Sequence, residues 1–331
     1  MTLPISRRAL LGGVAATLAT AAGGTAIARR ASADDERVLR VGVMSNLTHA
    51  PLIAGLGSGR IARALAPTRI ESRVFRAGPR VTEALIGGAI DAGTAGPAAV
   101  VVHHARHSRG NRGGLRILGG CCSGGASLVV TRTSGIRRPA DLRGKRLAVT
   151  QIGTTQDIAL RVYIREAGLR DSVSGGDVTV LAIAGATILD QMKRGDLHGA
   201  WLPEPWATRI VDELSAIRFV DERDLWPGKR FATAVLTSRA EDGADSRVTR
   251  LASALEEEVA RAIADPHATL AEAHAELKKH VGNPGAFRIF EKAAAFVDFT
   301  SDPIRESVER FGDAASSFDL CPPNAAAGLF G

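Results

Sequence analysis

The sequence predicts an α/β protein of two lobes followed by a helical tail, and three observations predict it. From Arg37 onward, short β-branched or apolar segments alternate with segments of helical spacing. A second series of the same kind begins near Gly135. After "FATAVLTSR" (Phe231–Arg239) the character changes: Ala244–Val308 is rich in Ala, Glu, Arg and Leu at helical spacing, as in "VTRLASALEEEVARAIA". Strands alternating with helices argue for parallel sheets with a ligand site at the strands' carboxyl ends. At 331 residues the chain is long enough for two lobes.

In the first series "RVLRVGVMS", "ESRVFRA", "AIDAGTAG", "LRILGGC" and "ASLVVTR" read as strands, with "GPRVTEALIGG" and "PAAVVVHHARHS" as helices between them. In the second, "RLAVT", "DVTVLAI", "LHGAWL" and "IRFVD" are strands, separated by helices starting near Thr154, Ala186 and Pro205. Ahead of both lies a segment that reads as an export signal over 1–33. Arg7 and Arg8 precede a mildly apolar run diluted by four glycines, and "ASA" at Ala31–Ala33 offers a small-residue cleavage site. Paired arginines before a weak apolar core resemble a twin-arginine signal. The bland alternative is a retained membrane anchor, for which a run broken by four glycines is poorly suited.

The formal net charge is +7. The signal-like segment carries four arginines and no acid, so the remainder stands at +3, with Arg interleaved among Asp and Glu. Aromatic residues make up only 4% of the chain, too few for a base-stacking platform, which argues against a nucleic-acid partner. Three cysteines, Cys121, Cys122 and Cys321, are too few for a disulfide framework.

Chemistry is concentrated at five junctions: "SNLTHAP" (Ser45–Pro51), "AGP" (Ala77–Pro79), "TAGP" (Thr94–Pro97), "CCSGGA" (Cys121–Ala126) and "QIGTTQD" (Gln151–Asp157). Each mixes glycine with hydroxyl or amide groups at an expected helix start, where free N–H groups and the helix dipole receive anions without formal positive charge. At any one junction the bland alternative is a plain N-cap. Five at one sheet edge point to a shared cleft. "GAWLPEPWATRIVDE" adds Trp201, Trp206 and Glu204 between two prolines, a rigid turn presenting a carboxylate and two rings.

Enzyme signatures are lacking. "GLGSG" follows a helix rather than a strand, and there is no G-x-S-x-G elbow or Walker lysine. His103 and His107 stand at i and i+4 but lack a third ligand nearby in sequence, so an exposed helix end is the plainer reading.

At these residues the chain resembles the solute-binding proteins of ABC importers in the nitrate/sulfonate/taurine group, most closely the aliphatic-sulfonate type. The stretches that carry the resemblance include "RVGVMSNLTHAPLIAGL", "FRAGPRVTEALIGGAIDAGTAGPAA", "GKRLAVTQIGTTQDIALRVYIREAGL", "GAWLPEPWATRIVDE", "DERDLWPG" and "VDFTSDPI", in order along the chain. The resemblance implies a type II periplasmic-binding fold that closes over its ligand. It divides the chain into a first lobe over 37–130, a second over 131–231, and a return to the first lobe with the helical part over 232–331. "ASLVVTR" and "FATAVLTSR" would be the crossovers.

It further implies a monomer without enzymatic activity, resident cofactor or metal, exported to the periplasm or outer face of the envelope, that hands a small anion to ABC permease and ATPase subunits. The ligand's head would sit among Asn46, Thr48, His49, Gly78, Thr94, Ala95, Gly96, Ser123, Thr154, Thr155 and Gln156, with Trp201 in the same site and Glu204 as a pocket wall or lobe contact. Hinge closure would bring donors from both lobes around it. The rival ligands are a thiamine-pyrimidine precursor, which a Glu facing a Trp pair would favour, nitrate or bicarbonate. A pyrimidine-precursor synthase on the same fold would need a cofactor lysine or catalytic acid in the cleft, and the junction turns hold no lysine.

Overall fold

The computed structural model describes residues 38–108, 113–172 and 176–330; the export signal expected over 1–33 lies outside them. Val38–Met44 (β1), Arg69–Phe75 (β2), Ala92–Ala95 (β3) and Leu115–Gly124 (β4) join the later Ala232–Arg239 (β10) and Val297–Phe299 (β11) in a six-stranded sheet, ordered β11-β4-β10-β3-β1-β2. Ala126–Val130 (β5), Arg146–Val149 (β6), Thr179–Ala182 (β7), Gly199–Pro203 (β8) and Ile217–Asp221 (β9) form a second sheet, ordered β7-β6-β8-β5-β9.

The expected parallel sheets are in fact mixed. β1 runs parallel to β2 and β3, but β10 is antiparallel to both β3 and β4, and β5 is antiparallel to β8 and β9. The strand that returns from the second sheet enters the first from the cleft side and so runs against β1–β3. The expected crossover "ASLVVTR" also differs: β5 pairs on both edges within the second sheet. The chain changes sheet one step earlier, at Gly124 and Gly125, both at φ +71°. A Cβ on Gly125 would stand 2.7 Å from Val297 Cγ1 and 2.9 Å from Thr48 Cγ2, so both backbone angle and space demand glycine there.

The helices follow the predicted punctuation. Ala50–Gly57 (α1), Arg60–Leu65 (α2), Gly78–Ile86 (α3) and Pro97–His107 (α4) belong to the first lobe, three of them with proline in the first turn, where its missing N–H costs nothing. Thr155–Glu166 (α5), Gly185–Arg194 (α6) and Trp206–Leu214 (α7) belong to the second. The tail supplies Ser246–Ala264 (α8), Pro266–Val281 (α9), Phe287–Ala293 (α10) and Arg305–Ser317 (α11).

In the tail, α8 and α9 pack on α1, burying Leu251, Leu255 and Leu270 against Leu39, Val41 and Leu52. α11 lies against both α4 and α5 and sends Phe311 into a core that also holds Leu128, Ile158 and Phe231. Side chains of both sheets thus share one apolar cluster beneath the cleft. α10 reaches α7, where Arg288 and Lys292 pair with Asp212.

Glu222 lies on the segment linking β9 to β10 and is fully buried, with Trp201 Nε1 donating to its Oε2 at 2.7 Å. Burial pushes the carboxyl from 4.5 up to about 8, against the indole bonds of Trp201 and Trp226, which pull it down. The folded chain therefore keeps a proton that the unfolded chain releases above about pH 4.5. That stability is full below the unfolded value and is lost as pH rises to about 8, by at most ~1.4 kcal/mol per pH unit. Thermal melts from pH 5 to pH 8 should show Glu222→Gln losing this part of the decline, and identical slopes in both proteins would contradict a protonated Glu222.

Candidate functional site

The turn before α5 is built from its own side chains. Thr154 Oγ1 accepts from the Asp157 N–H at 3.3 Å and donates to Gln151 O at 2.8 Å, while Asp157 Oδ2 accepts from the Gly153 N–H at 2.9 Å. Arg161, one turn on, donates from Nε to Asp157 Oδ1 at 2.9 Å and ties Asp171 from Nη1. Thr154 is therefore the N-cap, and its hydroxyl is committed to the helix. Its neighbour Thr155 is only 1% exposed, and its Oγ1 has no partner.

Thr155 faces the other lobe. A Cβ on Gly96, just before α4, would lie 2.8 Å from Thr155 Oγ1, so the starts of α4 and α5 meet closely because Gly96 has no side chain. Beside them the Leu47 N–H donates to Glu204 O at 3.1 Å, a backbone bond between the lobes. Between the sheets lies a cleft of about 540 Å³.

The cleft is walled largely by helix starts. Residues at the beginnings of α1, α3, α4, α5, α6 and α7 line it; of these, α5 is capped by Thr154, and the Glu204 carboxylate takes a first-turn N–H of α7, while the other four have no side-chain cap. Elsewhere in the chain, α8 and α9 are capped by Asp245 and Asp265. Uncapped helix starts leave N–H groups and the positive ends of the dipoles facing the cavity.

Charge points the same way. Arg76 and Arg209 line the cleft, and among the described residues no Asp or Glu does. Arg209 is tied to Glu213 at 2.6 Å and lies over the Trp206 ring. His49 is 1% exposed with Nδ1 unpartnered, and burial holds its imidazole down at about 3, so it is neutral near pH 7. Thr48 Oγ1 donates to Asn46 Oδ1 at 2.5 Å, fixing the turn that carries them.

Of the residues expected from sequence, Asn46, Thr48, His49, Gly78, Gly96, Thr154, Thr155 and Gln156 come together at the cleft. Thr94, Ala95, Ser123, Trp201 and Glu204 do not. Thr94 and Ala95 are buried inside β3. "CCSGGA" begins no helix: Ser123 lies within β4 and its Oγ accepts from the Phe231 N–H at 3.2 Å. Cys121 and Cys122 are buried free thiols, with burial pushing Cys121 up to about 12. Trp201 points into the core, edge-on to Tyr163. The Glu204 carboxylate is buried behind the wall, accepting from the Thr208 N–H at 3.0 Å and lying 2.7 Å from Arg218 Nη2. Burial pushes that carboxyl above its usual range and Arg218 opposes the shift. Only its backbone makes the expected lobe contact.

Arg76, Thr233, Asn283 and Phe290 were not anticipated at the cleft. Arg76 directly precedes the predicted "AGP" turn, a signal that was available. Asn283 and Phe290 arrive from the tail, which local patterning cannot place. Among the described residues no group of three His, Cys, Asp or Glu side chains is placed to hold a metal ion.

Two lobes on mixed sheets with a cleft between them define the periplasmic-binding-protein fold, and solved structures bear this out. The alkanesulfonate-binding protein of Xanthomonas axonopodis pv. citri, solved bound to MOPS, aligns with TM-score 0.72 at 20% identity, over 89% of this chain and 98% of that one. The periplasmic nitrate-binding protein of Synechocystis PCC 6803 aligns with TM-score 0.73 at 15% identity, over 87% and 83%. The chain belongs to the NMT1-like family, whose profile matches residues 32–275. A provisionally named binding protein of Brucella abortus (strain 2308) is 26% identical over 167 residues, 50% of this chain and 48% of that protein. The chain thus spans about half the length of the curated relatives it matches.

The two neighbouring threonines give a test. Thr154→Ala should cost about 1 kcal/mol of stability, because it removes the cap. Thr155→Ala should leave the melt nearly unchanged and weaken anion affinity roughly tenfold to a hundredfold, the value of one hydrogen bond to a charged group. Melts and calorimetric titration on both variants check this. Affinity untouched by Thr155→Ala would remove that hydroxyl from the binding surface.

Proposed function

We propose that this chain is the extracytoplasmic solute-binding protein of an ABC importer and that its cleft takes a small organic anion, best an aliphatic sulfonate. The observation that carries the reading is the cleft's charge: two arginines and four helix starts without a side-chain cap, with no Asp or Glu in the lining among the described residues. The likeness to the alkanesulfonate-binding and nitrate-binding proteins supports the same class of ligand.

Size favours the organic anion. A cleft of about 540 Å³ lies within the range of sites for organic molecules. Nitrate or bicarbonate would touch only a small part of its wall. Met44, Pro205, Trp206, Val281 and Phe290 supply apolar surface for a carbon tail. An aminopyrimidine would want a free carboxylate, and Glu204, the nearest candidate, is engaged by Arg218. The cleft lining also lacks lysine, cysteine and any acid, a poor set for catalysis. Delivery would be to permease and ATPase subunits by a monomer exported under the 1–33 segment. Among the described residues no helix is long and apolar enough to cross a membrane.

Calorimetric titration of the purified chain with butanesulfonate, nitrate, bicarbonate and an aminopyrimidine tests this. Butanesulfonate should bind at one site per chain and at least tenfold more tightly than the others. Preference for the aminopyrimidine, or chemical change of the sulfonate on incubation, would overturn the reading.

A further inference from the structure

Among the described residues, each lobe contributes to the cleft lining one residue with a buried, unpartnered polar atom: Thr155, through Oγ1, from the second and His49, through Nδ1, from the first. A hydroxyl adapts to an anion by rotating its proton. An imidazole has a second option, since it can gain a proton and become a donor at both nitrogens. We propose that His49 is the proton-linked contact of this cleft, its imidazole taking a proton from solvent as the anion seats against it. The ligand then enters as anion plus proton, with no bond in it broken. This inference rests on the reading of the cleft as an anion site.

The surroundings of His49 support the coupling. The ring sits where α1 begins, and the positive end of that helix disfavours an imidazolium while the cleft is without an anion. No residue of α1 is charged. On β4 the adjoining titratable groups are the Cys121 and Cys122 thiols, which burial keeps protonated, and Arg116. On β10 the charge is Arg239, bound to Asp91 and Asp242. Across the lobe contact, the Glu204 carboxylate is held by Arg218. The remaining cleft charges are Arg76 and Arg209, both positive. No negative group therefore supports a charged His49, and burial alone accounts for its low value of about 3. An opposite charge within 4–6 Å raises such a value by roughly 1–3. Proton uptake should accordingly appear between about pH 6 and pH 4.

The experiment is calorimetric titration with butanesulfonate, whose charge is constant over this range, from pH 4 to pH 8 in non-sulfonate buffers of different ionisation enthalpy. Affinity should rise by up to about tenfold per pH unit below pH 6, with uptake approaching one proton per ligand. His49→Gln should bind with no proton uptake and a flat profile. Imidazole NMR on the ligand-free protein should find His49 neutral down to about pH 4. Binding by the wild type without pH dependence, or an identical profile in His49→Gln, overturns the inference alone. So does a cationic His49 at pH 6 in the free protein. Failure of butanesulfonate to bind at any pH overturns the inference together with the anion-site reading beneath it.

Discussion

A cleft lined by helix starts and arginines, with no Asp or Glu in the lining among the described residues, is the constraint on which this structure turns. Six helices begin at one cleft, four of them without a side-chain cap, and Arg76 and Arg209 join them there. Each helix end contributes a favourable interaction of about 0.3–1 kcal/mol with a nearby anion, and its first N–H groups have no partner within the helix. The nearby carboxylates lie behind the lining and are bonded there: Asp157 to the Gly153 N–H and Arg161, Glu204 to the Thr208 N–H and Arg218, and Glu213 to Arg209.

The rest of the fold holds these helix starts in place. Gly124 and Gly125 let the chain turn from one sheet to the other at angles other residues rarely adopt. The return path passes Trp226, which stacks on Phe231 and packs against Phe311 of the tail, so the crossover and α11 are fixed by one aromatic group. Arg218 carries a similar load behind the cleft wall: it binds Glu204, Ser127 and Thr208 and lies over the ring of Phe296, 3.5 Å from its centroid. The lobes touch through the Leu47–Glu204 backbone bond, the approach of Gly96 to Thr155 and the pairs of Asp212 with Arg288 and Lys292.

Much of this was legible in the sequence. Strand, turn and helix succeed one another at "VGVMSNLTHAP", "TAGP" and "VTQIGTTQD"; the first two turns follow strands of the first sheet, the third a strand of the second, and all three reach the cleft between the sheets. Where such patterning failed, the cause was a residue serving two possible purposes. The glycines of "CCSGGA" resemble a helix entry but serve positive φ angles between two strands. Trp201 and Glu204 carry the chemistry of a binding site, yet strand alternation turns Trp201 into the core and the arrival of Arg218 from β9 claims the Glu204 carboxylate. Arg218 lies fourteen residues further on, and no local pattern announces the pairing. Thr154 and Thr155 looked equivalent in sequence. One became a cap and the other did not, a distinction of one residue in helix phase.

The central claim is that negative charge on the ligand, more than its shape, completes the cleft. The most direct measurement compares the affinity of butanesulfonate with that of butyl methyl sulfone, a neutral molecule of nearly the same form. Losing the charge should weaken several hydrogen bonds from the helix starts, each worth roughly 1.5–3 kcal/mol to a charged group. The account predicts that the sulfone binds at least about a hundredfold more weakly. Equal affinities for the two would contradict it.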